Sequence, residues 1–146
     1  LDVFAYLTDS TPTHVSATCL SSNDSLNEDD YNIAVTITYA DGSMATLHYI
    51  THGGDKLPKE MLEISGSHQT FIMNNFETLT HYRQGHKAEV TKGFGNNKGQ
   101  KQQIDAFIQA LLSAEEMPIS LECLMQTTEL TIAAVEAAKN RQTIEF

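Results

Sequence analysis

The spacing of apolar residues changes period several times along the chain, and each change predicts an element. Leu1, Val3, Phe4 and Leu7 fall at helical spacing, so the first residues read as the last turns of a helix. Thr8-Asp9-Ser10-Thr11-Pro12 stops it. His14 to Leu20 alternates and reads as a strand, and Ser21 to Asp30 is a polar, acidic surface loop without periodicity. Tyr31 to Ala40 alternates through Ile33, Val35 and Ile37, Asp41-Gly42 turns the chain, and Ser43 to Ile50 returns. Asp-Gly between β-rich runs is a strong hairpin signal, because glycine accepts the positive φ such a turn needs. With a two-residue loop, Tyr39 faces Met44, Ile37 faces Thr46 and Val35 faces His48. The second face then carries Thr36, Thr38, Ala45, Leu47 and Tyr49. Neither face is strongly charged, so this second face is expected to be semi-buried against a partner.

Further strands are predicted at Glu60 to Ser65, Gln69 to Met73 and Phe76 to Arg83, the last returning through Gln84-Gly85 along His86 to Thr91. A Gly/Asn loop spans Lys92 to Gly99. Beyond it, Ile104, Phe107, Ile108, Leu111 and Leu112 form one stripe of an amphipathic helix. Pro118 breaks the chain and Ser120 is a candidate N-cap. Leu121 to Ala138 reads as a second helix, with Leu124, Thr128, Ile132 and Val135 inward. Strands in a run followed by helices predict an α+β fold with an open, largely antiparallel sheet.

Composition narrows the function. The 146 residues are 40% hydrophobic and 19% charged, with mean hydropathy -0.28, which is one ordinary globular domain. Nine Lys+Arg against 19 Asp+Glu leave a formal charge of -10. So acidic a chain, with no basic cluster, repels phosphate backbones and anionic lipid, so neither nucleic acid nor a membrane is an expected partner. Cys19 and Cys123 form no C-x-x-C pair and read as small buried hydrophobes in a reducing, cytoplasmic setting. The chain starts at Leu1, mid-pattern and without a signal peptide, as though cut from a longer polypeptide.

Most candidate chemistry weakens on inspection. Gly93-Phe94-Gly95-Asn96-Asn97-Lys98-Gly99 sits between a strand and a helix, but the third glycine of a dinucleotide fingerprint would fall at Lys98. His48 and His52 are four apart on a strand end and a loop, where that spacing does not converge two ligands. His81 and His86 flank a hairpin and could meet across it, with no third ligand in view. No metal site is expected. No nucleophile elbow is present, and Asp29-Asp30 and Glu115-Glu116 read as solvated acids. His52-Gly53-Gly54-Asp55-Lys56-Leu57-Pro58-Lys59-Glu60 combines glycines, two lysines and acids at a strand end, where sites are commonly built.

Read in order, Leu1 to Leu7, Asn32 to Ser43, Leu57 to Gly66, Asn97-Lys98-Gly99 and Pro118 to Glu122 resemble the C-terminal domain of the Gfo/Idh/MocA oxidoreductases, the glucose–fructose oxidoreductase and inositol dehydrogenase family. The resemblance covers nearly the whole chain and lies in the order and spacing of degenerate motifs. It implies a substrate-binding and oligomerisation domain over residues 1–146. Helices cover one face of its sheet, and the other face is a homo-oligomer interface. It also implies an N-terminal Rossmann domain, not in this sequence, that binds NAD or NADP, and hydride transfer on a sugar, polyol or related small molecule. The family's Glu-Lys-Pro motif is missing, and of its H-x-x-D motif only Asp2 remains, so the fragment alone is expected to be inactive. Asp2 is the catalytic candidate, with a structural helix acid the equal alternative. Lys56, Lys59 and Lys98 are the substrate-binding candidates, beside Glu60. The competing readings are a stand-alone, non-enzymatic binding or dimerisation module derived from such a domain, and a small α+β hydrolase or isomerase. The latter would need a compact constellation that the sequence does not show.

Overall fold

The computed structural model describes residues 1–20, 32–93 and 98–146. The acidic loop predicted at Ser21 to Asp30 lies outside them, as do Tyr31 and residues 94–97. The element order is α1 (Asp2–Thr8), β1 (Pro12–Cys19), β2 (Ile33–Tyr39), β3 (Met44–Tyr49), β4 (Met61–Gly66), β5 (Gln69–Asn74), β6 (Thr78–Arg83), β7 (Glu89–Lys92), α2 (Gln100–Ser113), α3 (Leu121–Asn140) and β8 (Ile144–Glu145). The strands form two four-stranded antiparallel sheets, β3-β2-β1-β8 and β4-β5-β6-β7. The α+β class and the antiparallel pairing expected from the sequence are both present. The short β8 has no periodicity of its own and was not foreseen. The chain divides into two compact units, residues 1–53 with 119–146, and residues 54–118.

In the first unit the core gathers on one side of its sheet. Val15 and Ile37 are fully buried, and Val35, Tyr39, Leu130, Ala133 and Ala134 complete the cluster. Leu1 and Phe4 bring α1 onto it. The hairpin register differs from the sequence expectation by one residue. Thr38 pairs with Met44, Ile37 with Ala45, Thr36 with Thr46 and Val35 with Leu47. The loop has three residues rather than two. The Gly42 amide donates to the Tyr39 carbonyl and the Tyr39 amide to the Ser43 carbonyl, with Gly42 at φ +86. That is a type I turn ending in a left-handed bulge, which the glycine permits at no steric cost. Asp41 braces it, accepting from the Ser43 amide at 2.9 Å and the Ser43 hydroxyl at 2.8 Å. Those bonds hold its carboxyl below the usual aspartate value.

A one-residue slip exchanges the faces of a strand. Ala45 and Leu47 therefore pack on the core with Val35 and Ile37, not on a second face with Thr36 and Thr38. Tyr49 lies opposite Ile33 on the same face but is more than half exposed, beyond the core. The outward face instead carries Thr36 and Thr38 with Met44, Thr46 and His48.

The long helix is also turned from its expected orientation. Ser120 caps it as predicted, its hydroxyl accepting from the Cys123 amide at 3.1 Å. The buried face, however, is Leu130, Ala133, Ala134, Ala137 and Ala138, while Leu124, Ile132 and Val135 are about half exposed and Thr128 is exposed. Alanines let the helix backbone approach β1 closely, where a leucine stripe would hold it off. The apolar stripe then lies on the opposite side, with Leu121, Leu124, Met125 and Thr128 lining a shallow depression.

In the second unit the antiparallel meander β4-β5-β6-β7 is built on tight hairpins. Ser67-His68 and Asn75-Phe76 occupy the turns with positive φ at both residues, the conformation that matches sheet twist. In α2 the predicted stripe from Ile104 to Leu112 is exposed, and Ala110 is the buried residue of the helix.

Candidate functional site

The antiparallel pairing brings the start of β4, the end of β5, the start of β6 and the end of β7 to one end of the second unit's sheet, since Met61 pairs with Asn74, Asn74 with Thr78 and Thr78 with Lys92. Glu60 lies just before β4, and its carbonyl accepts from the Asn75 amide at 2.7 Å. This fastens the β5–β6 turn to the end of the loop 54–60. The same turn is held from the other side by Gly93, whose amide donates to the Glu77 carbonyl at 2.7 Å. A side chain at 93 would put its Cβ 2.9 Å from the Phe76 carbonyl oxygen, so only glycine fits without movement.

Lys98, entering α2, reaches back to this end. Its ammonium pairs with Glu60 Oε1 at 2.5 Å and stands 5.7 Å from the centre of the Phe76 ring. Both side chains are about one-third exposed, so solvent screening keeps the pair's contribution to stability modest. Phe76 has a left-handed φ of +57, uncommon for so bulky a residue. The other Glu60 oxygen, Oε2, is buried and accepts no hydrogen bond from the described residues. Carboxylate, ammonium and aromatic face together suit a hydroxylated ligand: the partly exposed carboxylate can accept from a hydroxyl, the ammonium can donate to one, and the ring offers an apolar surface.

No side-chain hydrogen bond or ion pair among the described residues joins the other candidates to this cluster. The Lys56 and Lys59 side chains are exposed, with no ion pair or hydrogen bond among the described residues. Their loop is turned by the Leu57 amide donating to Gly54 O at 3.1 Å. Asp2 belongs to the first unit and is exposed in the opening turn of α1. So of the sequence candidates, the structure joins Lys98 to Glu60 alone. Phe76, Asn75 and Gly93 were missed, because nothing local in the sequence signals that they converge.

The histidine pair at 81 and 86 does not meet across its hairpin. His81 lies opposite Glu89. Its ring stacks on Phe71 at 4.0 Å, and its Nε2 bonds to the Gln69 side-chain oxygen at 2.8 Å. Among the described residues no group of three or more His, Cys, Asp or Glu side chains is placed to hold a metal. Cys19 and Cys123 are free thiols, half-buried in β1 and α3. No helix among the described residues is long and apolar enough to cross a membrane.

The fold is shared with solved oxidoreductases. An aldose-aldose oxidoreductase from Caulobacter crescentus, complexed with glycerol, superposes with TM-score 0.79 at 16% identity, over 99% of this chain and 44% of its own. An oxidoreductase from Agrobacterium radiobacter in complex with NAD+, L-tartaric acid and magnesium gives 0.77 at 14% identity, over 99% of this chain and 46% of its own. An NAD-binding oxidoreductase from Klebsiella pneumoniae gives 0.80 at 13%, over 99% and 48%. The chain thus spans less than half the length of these relatives, and at such identities the likeness speaks for the fold. No curated protein sequence matches the chain. The family model described as "Oxidoreductase family, C-terminal alpha/beta domain" matches residues 1–146 from end to end. The chain therefore belongs to the C-terminal domain of the Gfo/Idh/MocA oxidoreductase family.

Proposed function

We propose that this chain is the substrate-binding and oligomerisation domain of an NAD(P)-dependent, cytoplasmic oxidoreductase acting on a sugar, polyol or related small molecule. The observation that carries the reading is the family match over all 146 residues. The relatives supply the chemistry by analogy: one is described with NAD+ and tartaric acid, another with glycerol. In this reading the nicotinamide cofactor binds a Rossmann half outside this sequence and supplies the hydride acceptor or donor. The chain's own part is to hold substrate. Glu60 and Lys98 form the polar end of that site, and Lys56 and Lys59 extend it along the preceding loop. Asp2, which belongs to the first unit, is by itself the proposed proton-transfer group. Copies of the chain associate through the outward sheet face around Thr36 and Thr46. The isolated 146 residues turn over no substrate.

The test begins with the mass of the native polypeptide in its source cell. A band well above 16.1 kDa, with NAD(P)-linked turnover of sugars or polyols by that polypeptide, is the expected result. A band at 16.1 kDa overturns the reading in favour of a stand-alone binding module.

A further inference from the structure

Asn32 is the buried polar residue of the first unit, 2% exposed, and its amide is fully used. Its Oδ1 accepts from the backbone amides of Thr51 at 2.8 Å and His52 at 3.4 Å. Its Nδ2 lies 3.1 Å from the Thr51 hydroxyl and 3.3 Å from His52 Nδ1. The two backbone N–H groups decide which way the amide points, because flipping it would set N–H against N–H. With Oδ1 so fixed, Nδ2–H is directed at His52 Nδ1, and that nitrogen must present a lone pair.

We infer that Asn32 is a positioning residue that selects the tautomer of the neutral His52 imidazole, with the proton on Nε2. The ring then offers the exterior a hydrogen-bond donor and no acceptor, at the head of the loop 52–60. The ligand group it suits is an acceptor oxygen, the carbonyl, hydroxyl or carboxylate of a small molecule. It does not suit a metal. A histidine that binds a cation through Nε2 must carry its proton on Nδ1 and donate it to an acceptor. Asn32 places a donor there instead. The inference does not depend on the proposed oxidoreductase role.

Nitrogen NMR of the full chain tests it, by long-range proton–nitrogen correlation of the imidazoles at mildly alkaline pH. The expected spectrum shows His52 with a bare Nδ1 and a protonated Nε2, unmoved when zinc ion is added. In Asn32→Asp a carboxylate oxygen replaces the amide donor, so the ring is expected to invert to Nδ1–H. A protonated Nδ1 in the unaltered chain, a zinc-bound Nε2, or a tautomer ratio unchanged in Asn32→Asp would each overturn the inference. Should that variant fail to fold, the unaltered chain still decides: a nuclear Overhauser contact between the Asn32 amide protons and His52 Hε1 must be present, and its absence overturns the assignment.

Discussion

Val35 stands directly opposite Leu47 across β2 and β3, and both point into the core. That single pairing fixes which face of the sheet is inside. A glutamate at Leu47 must bury a charge or expel the strand, and is expected to cost about 3 kcal/mol or more. A glutamate at the neighbouring Thr46, on the outward face, should leave the stability of the single chain within about 0.5 kcal/mol, its effect falling on the proposed association instead. Urea titrations of the two variants read this directly, and equal costs would reject the register.

The orientation of α3 makes a second prediction. Leu130→Ala removes the large side chain of its buried face and should cost about 2–5 kcal/mol. Ala134→Leu overfills the close contact with β1 and should cost about 1–3 kcal/mol. Ile132→Ser, on the half-exposed stripe, should cost less than either. Thermal melts of the three variants rank them, and a dominant loss at Ile132 would turn the helix over.

These two cases show where the sequence was legible. Alternation from Ile33 to Tyr49 revealed the hairpin, because one face is buried and the period is two. It did not reveal the face, because Asp41-Gly42 serves equally in a two-residue loop and in the three-residue loop that forms, and one residue reverses every side chain. In α3, hydropathy favoured Leu124, Ile132 and Val135, but the buried face was chosen by closeness of approach, for which alanine is the better residue. Glu60 and Lys98 were singled out separately, yet their pairing spans 38 positions and follows from the meander that brings the ends of β4 and β7 together. Asn32 left no local signal, since its importance lies in bonds to Thr51 and His52.

Tyr39 carries a pH prediction. Burial pushes its phenol above the ordinary value of 10.0, with the nearby Thr8 hydroxyl opposing the shift. Because the folded value is raised, the stabilisation is complete below about pH 10 and is lost as pH rises through the folded value. In an ultraviolet alkaline titration one phenol should ionise above the ordinary value of 10.0, and that step should be missing in Tyr39→Phe. Tyr39→Phe should remove this part of the alkaline instability while costing little at neutral pH, since the hydroxyl makes no well-formed hydrogen bond.

At the end of the second sheet, stability and binding should separate. Lys98→Met is expected to change stability by less than about 1 kcal/mol, because the ion pair is partly solvated. Under the proposed function, the same change in the native polypeptide should raise KM for a hydroxylated substrate. Gly93→Ala should behave oppositely, losing about 1–3 kcal/mol as the Phe76 turn is forced aside. If Lys98→Met leaves KM unchanged, the pair is only a fastening between sheet and helix.

The alanine face of α3 has one more consequence. Side chains that interlock resist both separation and sliding, whereas a nearly smooth surface resists separation far more than translation. Leu130 is the large projection on the buried face, with Ala133, Ala134, Ala137 and Ala138 beyond it. The position of the helix along β1 is therefore held on that face chiefly by one peg near its middle. If the helix travels, it will glide along its own axis, and Leu130 sets the detent.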